Sequence, residues 1–322
     1  MRVVFIGTGE IGLPTLRWLV ETAQHELVGV VTQPDKPVGR DQRIQAPPIK
    51  AAIADSGIPI LQPRRIKHEE AVEQIRALQP QVIVVMAYGQ ILPLALLEIP
   101  SIACLNLHAS LLPKHRGAAP IQAAIVTGDS ETGLTVMYMD EGLDTGDVLL
   151  QSRIAVASDE TGGSLHDRLA ELGPRALEEA LRELAAGTAR RIHQNAAQAT
   201  YAPKLEREHG MIDWTEPAES IERKIRAFDP WPGAYFLVKD TAERTRKIKV
   251  FSATVSEEIR LAPGEMIATN AGGRIVVGAS GGCLRVEQVQ LEGKKRMGAS
   301  ELLRGHPWLE SASVVPVPAV AP

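Results

Sequence analysis

The chain has 322 residues, 44% hydrophobic and 23% charged, with a formal net charge of −4. That is length for two domains with their own cores, and a composition that excludes disordered and fibrous classes; the slight acidity excludes indiscriminate coating of nucleic acid but allows local basic patches. Two cysteines, Cys104 and Cys283, exclude a disulfide framework or a cysteine metal site, and no apolar run reaches the ~20 residues of a membrane helix or forms a signal peptide. A cytoplasmic protein with no membrane partner and no metal is expected.

Residues 2–7 read as a buried strand, and Gly7-Thr8-Gly9-Glu10-Ile11-Gly12 leads into a helical pattern through Leu13, Leu16, Leu19 and Val20. This matches the glycine fingerprint of dinucleotide folds, in which the backbone approaches a phosphate at a helix N-terminus. The next strand, residues 27–32, should then end in an acidic residue for a ribose, yet it runs into Thr32-Gln33-Pro34 before Asp35. A Rossmann-like turn without a dinucleotide, and hence no NAD, is the favoured reading. Residues 34–50 form a long Pro-rich connection carrying Lys36, Arg40, Arg43 and Lys50. A phosphate-contacting loop and a solvated surface loop are equally open readings of it.

A short strand at 59–61, a helix at 69–78 and a strand at 81–87 follow, with residues 88–93 as the loop after that strand. Residues 101–108 alternate as a strand leaving the core, so Asn106 and His108, two apart, share a face. An imidazole exchanges protons near neutral pH, and a carboxamide donates to a developing oxyanion without titrating. Pro113 and Gly117 make the next stretch a loop; a helix at 120–127 and a strand at 132–139 then end in an acidic loop containing Asp140, Asp144 and Asp147. Its spacing fits neither calcium nor zinc. One of its carboxylates could reach and orient His108. Asp144 is the first choice, though spacing does not separate it from Asp140 or Asp147. Strands alternating with helices imply an α/β fold, a Rossmann-like, mainly parallel, doubly wound sheet.

Residues 158–186 carry Leu165, Leu169, Leu172, Leu177 and Leu181 near helical spacing, as a packed cover. The pattern then lapses. The expected organisation is a catalytic domain over 1–189, a linker over 190–207, a small C-terminal β-barrel domain over 208–312 and a flexible tail over 313–322. Arg244, Arg246, Lys247 and Lys249 form one basic cluster in the barrel, and Lys294, Lys295 and Arg296 a second.

Asn106, His108, the run Ser110-Leu111-Leu112-Pro113 with Arg116-Gly117, and Asp144 within Leu143-Asp144-Thr145-Gly146-Asp147 together resemble the folate-dependent formyltransferases. Gly39-Arg40, residues 200–204, 212–214, 226–235 and 291–297 extend the resemblance along essentially the whole chain, to the branch of that family acting on charged tRNA. The resemblance implies transfer of a formyl group from 10-formyltetrahydrofolate to the α-amino group of methionine on initiator Met-tRNA; separately, a monomer is expected. It assigns oxyanion stabilisation to Asn106 and His108, with His108 charged and paired to Asp144. Ser110, Leu111, Leu112 and Pro113 would line the folate site, and Tyr88, Gln90, Ile91 and Leu92 would wall it. Arg40, with Lys36 and Arg43, would lead contact with the tRNA, although Asp41 and Gln42 interrupt the positive run. Lys204, Lys247, Lys294, Lys295 and Arg296 would add contacts from an OB-like barrel. A small-amine formyltransferase would need only the first domain, a formyl-folate hydrolase would replace the amine by water, and an oxidoreductase would rest on Gly7 to Gly12 alone.

Overall fold

The computed structural model describes residues 1–39, 41–256 and 259–317. The chain divides into two compact units, one comprising Met1–Pro120, Glu131–Ala155 and Leu165–Pro203, the other Ile121–Ser130, Val156–Ser164 and the chain from Lys204 onward. Where the sequence suggests a linker from residue 190, the first unit thus continues through Pro203.

In the first unit the strands are β1 (Arg2–Gly7), β2 (Glu26–Val31), a hairpin of β3 (Lys36–Val38) and β4 (Arg43–Gln45), β5 (Ile60–Leu61), β6 (Val82–Met86), β7 (Ala103–His108), β8 (Arg116–Gly117), β9 (Glu131–Tyr138), β10 (Val148–Ala155) and β11 (Tyr201–Ala202). Seven of them form one sheet in the order β10-β9-β7-β6-β1-β2-β5. Neighbours from β7 to β5 are parallel, while β9 and β10 are antiparallel additions. The central strands are Val/Ile-rich and buried on both faces, as parallel strands between helical layers must be. The helix Glu69–Ala77 covers one side with Ala71, Val72 and Ile75 inward at helical spacing, Glu69 and Glu70 in its first turn and Arg76 in its last. The helix Gly162–Ala186 buries Leu165, Leu169, Leu177 and Leu181. Strand order reverses between β1 and β6, and the crevice outside the carboxyl ends at such a reversal is where α/β sheets hold ligands.

The glycines after β1 have a packing reason. A Cβ on Gly7 would sit 2.8 Å from Met86 O and 2.7 Å from the Phe5 ring, and one on Gly12 would sit 3.0 Å from that ring. Strand and helix contact thus accounts for Gly7 and Gly12, whereas a Cβ on Gly9 would meet only Ala87 Cβ, at 3.6 Å.

The connection 34–50 is not an irregular loop. β3 and β4 pair antiparallel, with Lys36 opposite Gln45 and residue 38 opposite Arg43, and a short helix, Pro48–Ala52, follows. The hairpin neck is closed by Lys50 Nζ, 2.9 Å from Asp35 Oδ2 and 2.9 Å from Gln62 Oε1, while Gln62 Nε2 donates to Asp35 Oδ1 at 2.7 Å.

The second unit carries β12 (Ala234–Lys239), β13 (Thr245–Ser256), β14 (Met266–Thr269), β15 (Arg274–Ala279), β16 (Gly282–Leu291), β17 (Met297–Gly298) and β18 (Ser313–Val314). They form a nearly closed, OB-like antiparallel barrel in the order β14-β15-β16-β13-β12-β18, with β17 on β16. Alternate residues of β12 (Ala234, Phe236, Val238) and of β13 (Ile248, Val250) point into a core shared with Ile221 and Ile225 of the helix Ala218–Ala227. Trp214 meets Phe236 edge to face at 5.5 Å in that core. Residues 313–314, the start of the expected tail, are a strand paired with β12; residues 318–322 lie outside the described residues. Among the described residues no helix is long and apolar enough to cross a membrane.

Candidate active site

β7 lies one strand away from the strand-order reversal, flanked by β6 on one side and β9 on the other. Asn106 lies opposite Val85 and Met137, and His108 opposite Thr135. Strand parity puts both side chains on one face at the carboxyl end. Both meet Asp144. Asn106 Nδ2 donates to Asp144 Oδ1 at 3.3 Å, and His108 Nδ1 stands 3.6 Å from Asp144 Oδ2. The same oxygen accepts from the backbone N–H of Gly117 at 2.8 Å.

The other ring nitrogen of His108, Nε2, lies 3.0 Å from His115 O. A carbonyl can only accept, so Nε2 carries the hydrogen there and Nδ1 is the atom turned towards the carboxylate. His108 is 6% exposed, so this geometry is held in a largely dry setting.

The three aspartates of the loop after β9 divide clearly. Asp140 is spent on its own turn, accepting from Gly142 N and Thr145 Oγ1. Asp147 faces His193 Nδ1 at 3.3 Å and Arg191 at 3.9 Å. Asp144 alone of the three reaches β7, from a backbone with φ of 53°. An aspartate tolerates that left-handed conformation better than most side chains but does not seek it.

The loop after β7 is anchored by β9 and β10. Thr135 Oγ1 donates to Ser110 O at 2.6 Å and accepts from Leu112 N at 3.1 Å; Gln151 Nε2 donates to Leu112 O at 2.8 Å. Ser110 is fully buried with its hydroxyl on Lys114 O, and Leu112 packs with Met137 and Val148. Both belong to the scaffold, and Leu111 and Pro113 are half-buried.

In the loop after β6, Tyr88 and Leu92 are core residues, and burial pushes the Tyr88 phenol up to about 12, so it stays neutral. Gln90 ties down the adjoining chain, accepting from Ile66 N at 2.9 Å and donating to Arg64 O. Ile91 is 86% exposed, and Leu143, in the loop beyond β9, is 58% exposed. These apolar side chains follow the two strands that flank β7.

The basic residues are dispersed. Lys36 reaches Gln33 Oε1, Arg43 stands 3.9 Å from Asp41, and Lys204 is paired with Glu206 at 2.9 Å; Arg40 lies outside the described residues. On the barrel, β12 and β13 set Leu237 opposite Lys247 and Tyr235 opposite Lys249. Lys247 Nζ lies 4.1 Å over the Tyr235 ring, and Arg296 lies 4.3 Å over Phe251 while standing 3.6 Å from Asp229. Lys294 and Lys295 are exposed at the turn between β16 and β17.

Sequence reasoning misses Arg116 and Gln194, buried polar residues 78 positions apart that meet next to Asp144. Arg116 sits in a motif that the resemblance uses; Gln194 lies in a polar Ala/Gln stretch that reads as linker. Among the described residues no group of His, Cys, Asp and Glu could hold a metal ion.

Residues 1–181 match the family described as Formyl transferase, and residues 204–307 the Formyl transferase C-terminal domain. The methionyl-tRNA formyltransferase of Akkermansia muciniphila is 47% identical over 311 residues, 96% of this chain and 98% of the relative. That of Marinobacter nauticus is 48% identical over 305 residues, 95% and 96% of the two chains. Among solved structures, a methionyl-tRNA formyltransferase from Clostridium thermocellum superposes with a TM-score of 0.56 at 18% identity, over 80% of this chain and 94% of its own. HypX from Aquifex aeolicus in complex with tetrahydrofolic acid gives 0.62 at 19% over 100% of this chain, which spans half of HypX. At those identities the superpositions establish the fold, and the relatives near 47% over both units establish the kinship: the chain belongs to the methionyl-tRNA formyltransferase family of folate-dependent formyltransferases.

Proposed function

We propose that the chain transfers the formyl group of 10-formyltetrahydrofolate to the α-amino group of methionine on initiator tRNA, with Asn106, His108 and Asp144 as the catalytic residues. The observation that carries the catalytic assignment is the convergence of an amide, an imidazole and a backbone N–H on the Asp144 carboxylate at the carboxyl end of β7. The amine nitrogen bonds to the formyl carbon, and the carbonyl electron pair moves onto oxygen. One N–H of the Asn106 amide is committed to Asp144; the second is free to donate to that oxyanion as it forms. When the tetrahedral species collapses, the bond to folate N10 breaks. The proton lost by the amine equals the one gained by N10, and the His108–Asp144 pair is placed to carry it. No covalent intermediate on the protein is needed.

Folate, on this reading, lies across the end of β7 between the loops bearing Ile91 and Leu143, whose exposed apolar side chains flank the reacting position. The barrel face bearing Lys247, Lys249 and Arg296 beside Tyr235 and Phe251, with Lys294 and Lys295 at its margin, suits a tRNA backbone. Cations held over rings are pre-positioned for phosphate. Lys36 and Arg43 on the β3–β4 hairpin add further cations.

The test is transfer of labelled formyl from 10-formyltetrahydrofolate to charged initiator tRNA, comparing wild type with Asn106→Ala. Formyl-methionine released from tRNA by wild type alone supports the reading. Loss of formyl from folate with none on tRNA would replace it by a hydrolase.

A further inference from the structure

Residues 182–203 lie between the two family matches and within the first unit. This stretch makes contacts that a tether does not need. Gln194, 5% exposed, donates through Nε2 to Asp144 O at 2.9 Å and to Gly146 O at 2.7 Å. Its Oε1 accepts from Arg116 Nη2 at 2.8 Å and Nε at 3.2 Å, with Arg116 equally buried. Both amide N–H groups and the oxygen are thus satisfied, by two separate active-site loops.

Arg116 precedes Gly117, whose N–H holds the Asp144 carboxylate. A ring of contacts therefore closes: Asp144 carboxylate, Gly117 N–H, Arg116 guanidinium, Gln194 amide, Asp144 carbonyl. Six residues downstream of Gln194, Thr200 Oγ1 accepts from His115 N at 2.8 Å and Thr200 O accepts from Arg116 N at 2.8 Å. The carbonyl of His115 is the one facing His108 Nε2. Asp144 and His115 both hold left-handed backbones, φ 53° and 58°. Non-glycine residues keep such conformations only where surrounding contacts over-determine them.

We infer that Gln194 is a positioning residue of formyl transfer, its amide clamping the Asp144 loop to the Arg116 strand so that the Asp144 carboxylate is held against His108 and Asn106. This rests on the assignment of Asp144 as catalytic. The segment joining the two family matches is then part of the catalytic apparatus.

A double-mutant cycle in the full chain tests this, using Gln194→Ala, Gln194→Glu, Asp144→Ala and the pair Gln194→Ala/Asp144→Ala, with thermal unfolding and folate binding measured for each. Gln194→Ala should lower kcat roughly 10- to 100-fold, the scale on which displaced catalytic groups fail, with both KM values within about threefold. Gln194→Glu keeps an acceptor for Arg116 and the volume of the site but loses both donors to the loop. It should fall as far as the alanine variant, and it stands in for that variant if the latter does not fold. In the Asp144→Ala background the further loss should shrink to less than about threefold, because the group being positioned is gone.

The inference is overturned if Gln194→Ala multiplies the Asp144→Ala loss by its full factor, if it raises KM at unchanged kcat, or if Gln194→Glu turns over like wild type. Full activity in Asp144→Ala alone would instead remove the catalytic assignment on which the inference stands.

Discussion

Asp144 and Lys247 are single charged residues of equal visibility in the sequence, and the structure surrounds them in opposite ways. The aspartate is mostly buried, accepts from an amide and a backbone N–H, and sits on a loop gripped by a buried glutamine and arginine. The lysine stands on an open sheet face over one aromatic ring, with further cations spread along the same barrel. Chemistry at a formyl carbon needs donors fixed to fractions of an ångström, and only a dry, over-determined setting provides that. Holding a polyanion needs positive charge distributed over an area, and water between the groups does little harm. The first kind of site fails at one residue; the second fades by degrees.

The sharpest way to break that contrast is His108→Ala. Removing the proton carrier should cut turnover by about 10²–10⁴-fold while leaving tRNA affinity within a few-fold of wild type, read by single-turnover formylation beside filter binding. Equal losses in both would merge the two regions. Next in size is Gly117→Ala. Gly117 has φ of 115°, and a Cβ there would lie 2.6 Å from Ala202 O. Chemical unfolding should show a loss of about 1–3 kcal/mol, with residual activity falling further than the folded fraction explains. Smaller again is the triple change Lys294→Ala/Lys295→Ala/Arg296→Ala. Transfer at saturating tRNA should persist, KM for tRNA should rise about tenfold, and the slope of log affinity against log salt should flatten by roughly 0.7–0.9 per lost phosphate contact. An unchanged slope would move the tRNA face elsewhere.

The least effect is expected at the hairpin neck. Hydrogen bonds from Gln62 and then Lys50 hold the Asp35 carboxyl below its usual 3.8. A depressed folded-state value means that the neck's contribution is complete above the ordinary carboxylate range and is lost as pH falls through the lower folded value. Protection of the β3 and β4 amides, relative to their intrinsic exchange rate at each pH, should fall in that acid window, and Asp35→Asn should lower it already at neutral pH.

Legibility in the sequence followed the range of the interaction. The α/β alternation, the barrel strands and the shared face of Asn106 and His108 depend on neighbours one to four positions away, and periodicity reports those directly. The choice among Asp140, Asp144 and Asp147 depends on which carboxylate bends back to β7, and that is settled by Gly117 and Gln194, distant in the chain. Spacing within the acidic loop holds no trace of it. The glycine fingerprint is ambiguous in the sequence for the converse reason: Gly7 makes a close contact with Phe5 and Met86, and Gly12 with Phe5, that serves packing in this chain. Residues 34–50 read as irregular because Pro and charge dominate them, yet two three-residue strands and a closed neck suffice for a hairpin.

Asn270 N, beside β14, donates to Glu310 Oε1 at 2.6 Å, and a few residues later Ser313 and Val314 pair with β12 while Val315 N bonds to Leu237 O. One short segment thus attends to both margins of the barrel sheet. An uncovered margin of β12 would offer a row of unpaired amides to any extended peptide, the usual start of edge-to-edge aggregation. Those few residues act as a guard on solubility, and their removal should be felt first in yield and in clouding on storage.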